Sequence, residues 1–246
     1  MSRRTPLACV FVAIVALSGC SGVLPGSATD SGTVTADTVA TPADVEYPPG
    51  FSPTGVTQGA VVDRSLGVLR EDSLVVVGLE RFRPGAYADY RYAANATHAR
   101  FQLTVHNGYS DISEWDVYTD SVAEYRRLGR NDQLSFESAN RSIAESRATA
   151  ARSVIAVLSR ILRFGEFRAS EVASTEGERR IRDELTGTVF ENATDERGYL
   201  VVGGDGVVRE AGMAYTRSGE PKRFTYAIVR RSAVRVEVPP WLPAAR

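Results

Sequence analysis

Between Thr57 and Arg70 the apolar residues Val61, Val62, Leu66, Val68 and Leu69 have the spacing of one buried helix face, and Thr57 stands in the N-cap position. Past this helix the period drops to two. Leu74 to Phe82 is apolar and β-branched, and Tyr90 and Tyr92 alternate with Asp89 and Arg91. Ala99, Phe101, Leu103 and Val105 then alternate with His98, Arg100, Gln102, Thr104 and His106, the pattern of a strand with one buried face. Asn107-Gly108 marks a tight turn, and Ile112 to Thr119 and Val122 to Leu128 add two strands bearing Trp115, Tyr118 and Tyr125.

The strongest helix signal follows. Ser142 and Glu145 make a capping box, and Ala151, Val154, Ile155, Leu158, Ile161 and Leu162 share one wide face, with Arg147, Arg152, Arg160 and Arg163 off it and Gly165 at the stop. Strand patterns resume over Glu166 to Ser174, Arg180 to Phe190, Tyr199 to Val202, Val207 to Tyr215 and Arg223 to Arg230. Turns fall at Gly203-Gly204-Asp205-Gly206 and Ser218-Gly219-Glu220-Pro221, and a last short strand is expected from Val234 to Val238. An apolar helix face that wide needs a cover, and the sheet is the partner at hand. The fold class expected is α+β: a single strongly curved antiparallel sheet, an open half-barrel, covered by an N-terminal helix and a long middle helix.

The N-terminus sets the setting in which such a domain would work. Residues 1–19 carry Arg3 and Arg4, an apolar run from Leu7 to Leu17 and then small residues, the layout of an export signal; that run is too short to cross a bilayer, which needs about 20 residues. Leu17-Ser18-Gly19-Cys20 has the form of a lipobox, in which the thiol takes a lipid and becomes the first residue of the mature chain. Cys9 departs with the signal, so Cys20 has no disulfide partner within the chain. Ser2-Arg3-Arg4-Thr5-Pro6-Leu7 resembles a twin-arginine motif with Pro6 where an aromatic residue usually stands, which leaves the export route open between the general and the twin-arginine pathways. Residues 20–50 comprise the lipidated cysteine and a Gly, Ser, Thr, Ala and Pro-rich tether without a base, too poor in large apolar residues to bury a core and spanning on the order of 30 Å as a coil. Residues 51–246 form the single domain. The expected location is the outer face of the cell membrane, held by the lipid.

Charge narrows the partners. Removing the two leader arginines from 29 basic residues leaves 27 against 30 acidic ones, which argues against the concentrated basic face that nucleic acid requires. Lys222 is the single lysine; arginine supplies every other base, as GC-rich coding produces. Asn95-Ala-Thr97, Asn140-Arg-Ser142 and Asn192-Ala-Thr194 are candidate N-glycosylation sequons, in keeping with an exported protein.

Catalytic chemistry is thin. His98 and His106 stand eight apart on one strand, about 26 Å by strand rise and facing the same side, so neither a nucleophile–base pair nor a zinc site assembles from them. Gly203-Gly204-Asp205-Gly206 is followed by a strand and not by the helix that a phosphate cradle needs. Asp195-Glu196 and Glu176/Glu178 read as solvated turn acids before weak calcium ligands, and Tyr87, Tyr90 and Tyr92 as strand tyrosines that a pocket would also suit. The expectation is a non-enzyme with no cofactor and no metal.

The lipobox, the Thr-rich tether, Tyr47-Pro48-Pro49-Gly50-Phe51 followed by Gly55-Val56-Thr57, the middle helix and the closing Val236-Glu237-Val238-Pro239-Pro240-Trp241 resemble a family of haloarchaeal lipoproteins of unknown function. The order of elements is also similar to that of the LolA and LppX type of lipoprotein carrier, whose bent sheet is lidded by helices. That similarity implies a monomeric carrier with an apolar or lipid ligand on the enclosed face, where Tyr90, Tyr92, Phe101, Leu103, Leu158 and Ile161 are the candidate ligand-facing residues. The competing expectation is a non-carrying cell-envelope interaction or structural protein, with a filled core and an exposed apolar patch.

Overall fold

The structure, a computed structural model, describes residues 45–107, 112–131, 133–175 and 178–246. All of these belong to one compact unit, 37–246. The leader, Cys20, the tether up to residue 44, Gly108 of the Asn107-Gly108 turn and Glu176 lie outside the described residues.

A small ribbon, β1 (Phe51–Ser52) and β2 (Gly55–Val56), leads into α1 (Gln58–Glu71). Six strands follow as a meander: β3 (Leu74–Arg83), β4 (Ala86–Ala94), β5 (Ala99–His106), β6 (Ile112–Thr119), β7 (Glu124–Arg130) and β8 (Gln133–Ala139). The helix α2 (Ile143–Phe164) then carries the chain to a second meander, β9 (Gly165–Thr175), β10 (Glu178–Thr188), β11 (Ala193–Gly203), β12 (Val208–Arg217) and β13 (Glu220–Arg230), and α3 (Leu242–Ala245) closes it. The two meanders join where β13 pairs with β3, Tyr226 opposite Gly78 and Ile228 opposite Val76. The result is one 11-stranded antiparallel sheet in the order β8-β7-β6-β5-β4-β3-β13-β12-β11-β10-β9, open at β8 and β9.

Local chemistry accounts for the elements. α2 starts on a complete capping box: Ser142 Oγ accepts from the Glu145 amide while the Glu145 carboxylate accepts from the Ser142 amide, satisfying two donors that a helix start leaves orphaned. At its other end Gly165 is extended, with φ −105°, and so does not act as a left-handed stop. Crowding is what demands glycine there, since a Cβ would come within 2.6 Å of the Phe167 ring and 2.7 Å of Leu185. Thr57 does hold the N-cap position of α1, but its side chain makes no cap hydrogen bond. Between β12 and β13, Ser218 and Gly219 both have positive φ, the signature of a two-residue hairpin turn.

One face of the sheet carries both helices. Val154, Leu158 and Ile161 of α2 are fully buried against Val76, Tyr92, Phe101, Leu200, Phe224 and Tyr226 in the main core. Burial of each such aliphatic side chain contributes about 1.5–3 kcal/mol. Gly78 lets the helix approach, because a Cβ there would lie 3.3 Å from Val157. Polar bolts add to this packing: Arg160 of α2 pairs with buried Glu80 of β3, which also accepts from the Tyr90 hydroxyl at 3.0 Å, and Gln58 of α1 donates to Ser159 O at 3.3 Å. On the opposite face the C-terminal segment lies over β4 to β7, burying Val234, Val236, Trp241 and Leu242 against Ala93, Tyr118 and Tyr125.

Four expectations change. Residues 133–139 form a strand, β8, that the hydrophobic pattern does not announce, and the strand expected from Val122 begins instead at Glu124. Val234 to Val238 is irregular and not a strand; it packs side chains on the sheet while pairing with no edge. Arg147, expected off the apolar stripe, is buried. Its Nη2 donates to Asp72 O at 2.6 Å and its Nη1 to Asn95 O at 3.2 Å, so the guanidinium caps carbonyls where α1 ends and where β4 turns into β5.

Candidate binding surface at the open end of the sheet

The six candidate ligand-facing residues separate once placed. Tyr92, Leu158 and Ile161 are fully buried in the main core, and the Tyr92 hydroxyl is spent on Leu69 O at 3.1 Å. Tyr90 is half-buried with its hydroxyl on Glu80, where burial and then the carboxylate's charge raise its pKa. Leu103 is half-buried against the same core. Phe101 alone of the six lines a hollow, where its ring meets Trp115 edge-on at 5.6 Å.

That hollow marks where the helix cover runs out. Beneath the N-terminal half of α2, Phe101, Trp115, Val117 and Ala150 bound an apolar space of about 20 Å³. On the far side of Trp115 a second apolar hollow of about 180 Å³ is lined by Ile112, Trp115, Leu128, Ser135, Arg126 and Glu137. Trp115 and Arg126 belong to both. Arg126 is held in place by Glu124, with Nε at 2.7 Å and Nη2 at 2.5 Å from Oε1. The other Glu124 oxygen accepts from Ser146 Oγ of α2 at 2.5 Å, and Arg141 Nη1 lies 3.4 Å from Oε1. A buried carboxylate is thus neutralised by two arginines and a hydroxyl at the mouth of the hollows, as burial of charge requires.

Beside them lies the free edge. Every residue of β8 but Ala139 is exposed, with Leu134 at 59% and Phe136 at 38%. Ser135 and Glu137 face the hollows opposite Leu128 and Arg126, and Leu134 and Phe136 face the other way, Phe136 lying 6.3 Å from Trp241. Among the described residues no strand pairs with the outer side of β8, and Leu134 and Phe136 flank that edge on one face while the apolar hollow lies beside it on the other. Sheet edges of that kind accept a further strand.

The remaining sequence candidates are occupied otherwise. His98 precedes β5 and is half-buried near Tyr118, its Nδ1 2.7 Å from Thr97 Oγ1, while His106 stacks on Tyr87 at 4.2 Å; the pair is not simply water-facing. The Asn95 side chain is fully engaged: Oδ1 accepts from the amides of Thr97 and His98, and Nδ2 donates to Val234 O at 3.2 Å. Asn140 and Asn192 are exposed. The Gly203–Gly206 stretch is the β11–β12 turn, with Asp205 pairing Arg209 and Arg231 at 2.9 Å each, and Glu178 begins β10. Among the described residues no three His, Cys, Asp or Glu side chains gather as a metal site, and no helix is long and apolar enough to cross a membrane. Trp115, a strand residue by its pattern alone, is a candidate only through its place between the two hollows.

No protein-family profile matches the chain. No curated protein is significantly similar to it. Among solved structures it aligns with MucB in complex with MucA(peri), at a TM-score of 0.33 and 13% identity over 73% of this chain and 57% of that one. It also aligns with the Pseudomonas aeruginosa MucA/MucB complex, at 0.34 and 13% over 73% and 59%. The chain spans less than two thirds of those proteins, and likeness at this level carries nothing about function.

Proposed function

We propose that this chain is an extracytoplasmic, lipid-anchored binding domain that receives an extended segment of a partner protein at the β8 edge, with an apolar side chain of that segment in the hollow beside Trp115. The observation that carries the reading is the division of the helix face: α2 fills its centre with Leu158 and Ile161, and the apolar hollows around Trp115 lie toward β6, β7 and β8. A space of about 180 Å³ is below the several hundred that enclose a whole small ligand, so it suits one large side chain and not a complete lipid. This favours the interaction protein over the carrier.

The span of α2 supports the half-barrel reading. Ser146 is bonded to Glu124 on β7, and α2 runs directly into β9, about 28 Å further at 1.5 Å per residue. On a flat sheet those strands would stand nine spacings apart, about 43 Å at 4.8 Å each. We read the sheet as wrapped around the helix by that shortfall.

Binding and not catalysis is the role that the arginine-paired buried acids suggest. Glu80, Asp116 and Glu124 are each tied to an arginine and serve as fasteners. Membrane attachment rests on the Leu17-Ser18-Gly19-Cys20 motif and the tether behind it.

A photo-crosslinking side chain at position 134 or 136, in the anchored protein in its own membranes, should trap one discrete protein adduct that a control at exposed Val189 does not. Backbone pairing predicts that Ser138→Pro, which removes an outward-facing amide because Ser138 lies opposite Tyr125 in a non-hydrogen-bonded pair, abolishes the adduct. Stoichiometric lipid in an organic extract of the purified protein, with no adduct at either position, would restore the carrier reading.

A further inference from the structure

Asp183 occupies the middle of β10 on the helix face and is completely buried, and among the described residues neither carboxylate oxygen has a hydrogen-bond partner. Across the sheet its neighbours are Ala169 on β9 and Leu200 on β11, both apolar, and along its own strand Arg182 faces away, over the Tyr199 ring at 4.8 Å. Among the described residues the titratable side chain that feels its charge is Tyr47, whose hydroxyl is raised by burial and then by Asp183. The next residue back fixes the same stretch of chain to the same strand, since Arg179 Nη1 of β10 donates to Glu46 O at 3.3 Å. Val45 and Tyr47 pack on the core. The segment leading from the tether into β1 thus lies over β10 and Asp183.

A buried acid with no partner is tolerated while neutral and strongly disfavoured once charged. We propose that Asp183 is a proton-controlled latch: its neutral form keeps residues 45–56 docked on the body of the domain through the Glu46–Tyr47 stretch that covers β10, and its ionisation admits water beneath that stretch and frees the segment. Burial alone pushes this carboxyl up to about 7. The undocked group, back in water, has an ordinary carboxylate pKa and is fully ionised across the neutral range. Linkage then sets the size of the effect. Between pH 6 and pH 8 the docked state loses about tenfold in population relative to the undocked one.

The device goes beyond the binding reading and does not depend on it. Only its consequence does: in an anchored protein, release would lengthen the tether and let the domain stand further from the membrane.

Hydrogen–deuterium exchange on the full domain tests it, with intrinsic rates corrected at each pH. The amides of Phe51, bonded to Pro48 O, and of Thr57, bonded to Gly50 O, are the reporters, and the amides of α1 are the reference. The expected result is about tenfold less protection at Phe51 and Thr57 at pH 8 than at pH 6, with α1 unchanged and with the difference absent in Asp183→Asn. Equal protection at the two pH values, or a loss shared by α1, overturns the latch. The same loss persisting in Asp183→Asn overturns it too; should that variant not fold, the comparison with α1 in the wild-type protein decides.

Discussion

Arg147 reaches across from α2 and donates its Nη2 hydrogen to the main-chain oxygen of Asp72, the residue that ends α1, at 2.6 Å. With the bond to Asn95 O, one buried guanidinium satisfies two carbonyls from separate parts of the chain. Replacing Arg147 by Met keeps much of its apolar length but orphans both oxygens. Stability should fall by about 2–4 kcal/mol, read as a lower urea midpoint at unchanged slope.

Leu158 distinguishes a core helix from a lid. If α2 belongs to the permanent core, Leu158→Ala should cost about 3–4 kcal/mol, the range for a large cavity-forming substitution. A loss below about 1 kcal/mol in thermal or chemical unfolding would mean that the helix rests lightly on the sheet.

The pH dependence of global stability has a definite sign. Asp183 has a folded-state pKa raised to about 7 above an ordinary unfolded value near 4, so its contribution is intact below about pH 4 and is lost as pH rises to 7. Stability relative to Asp183→Asn should fall through that window by at most about 1.4 kcal/mol per pH unit. Urea titrations of both proteins at pH 4.5, 6 and 7.5 measure it. Asp205, held low by its hydrogen bonds to Arg209 and Arg231, and Asp120, held low by the Val122 and Ala123 amides, act in the opposite sense at more acid pH and cancel in the comparison.

Sequon use should differ by site. A glycan on Asn95 would replace the Nδ2 bond to Val234 O, whereas Asn140 and Asn192 are open to solvent. Intact-mass analysis of the native protein is expected to show modification at the latter two at most. Asn95→Gln should cost about 1–2 kcal/mol, and the same change at the other two less than about 0.5.

The anchor is tested by Cys20→Ser. The variant should leave the membrane pellet for the soluble fraction, and an unchanged distribution would remove the lipid from the account.

Much of the fold was legible because individual signals were complete. The capping box and the six-residue stripe define α2 without reference to anything else, and the alternation from His98 to His106 defines β5 because one of its faces is buried. β8 was not legible for the converse reason: Gln133 to Ser138 is exposed on both faces and has no burial pattern to display. Val234 to Val238 misleads in the other direction. Its alternating valines look like a strand, yet they serve to lay Val234 and Val236 on the sheet while Val238 stands in water, and Pro239-Pro240 follows. The hollows beside β8 escaped for a further reason, since Trp115, Leu128 and Ser135 are unremarkable singly and come together as a candidate surface only where α2 stops covering the sheet.

The seam between β3 and β13 bears on how the molecule is made. Val77 finds its partner in Ala227, 150 residues further along the chain. Each meander can zip up locally, but the middle of the sheet must wait until β13 has been made, and contacts of such long sequence separation slow folding. Any truncation that removes Glu220–Arg230 therefore leaves two half-sheets with exposed inner edges, a species prone to aggregate and not a shorter version of the same domain.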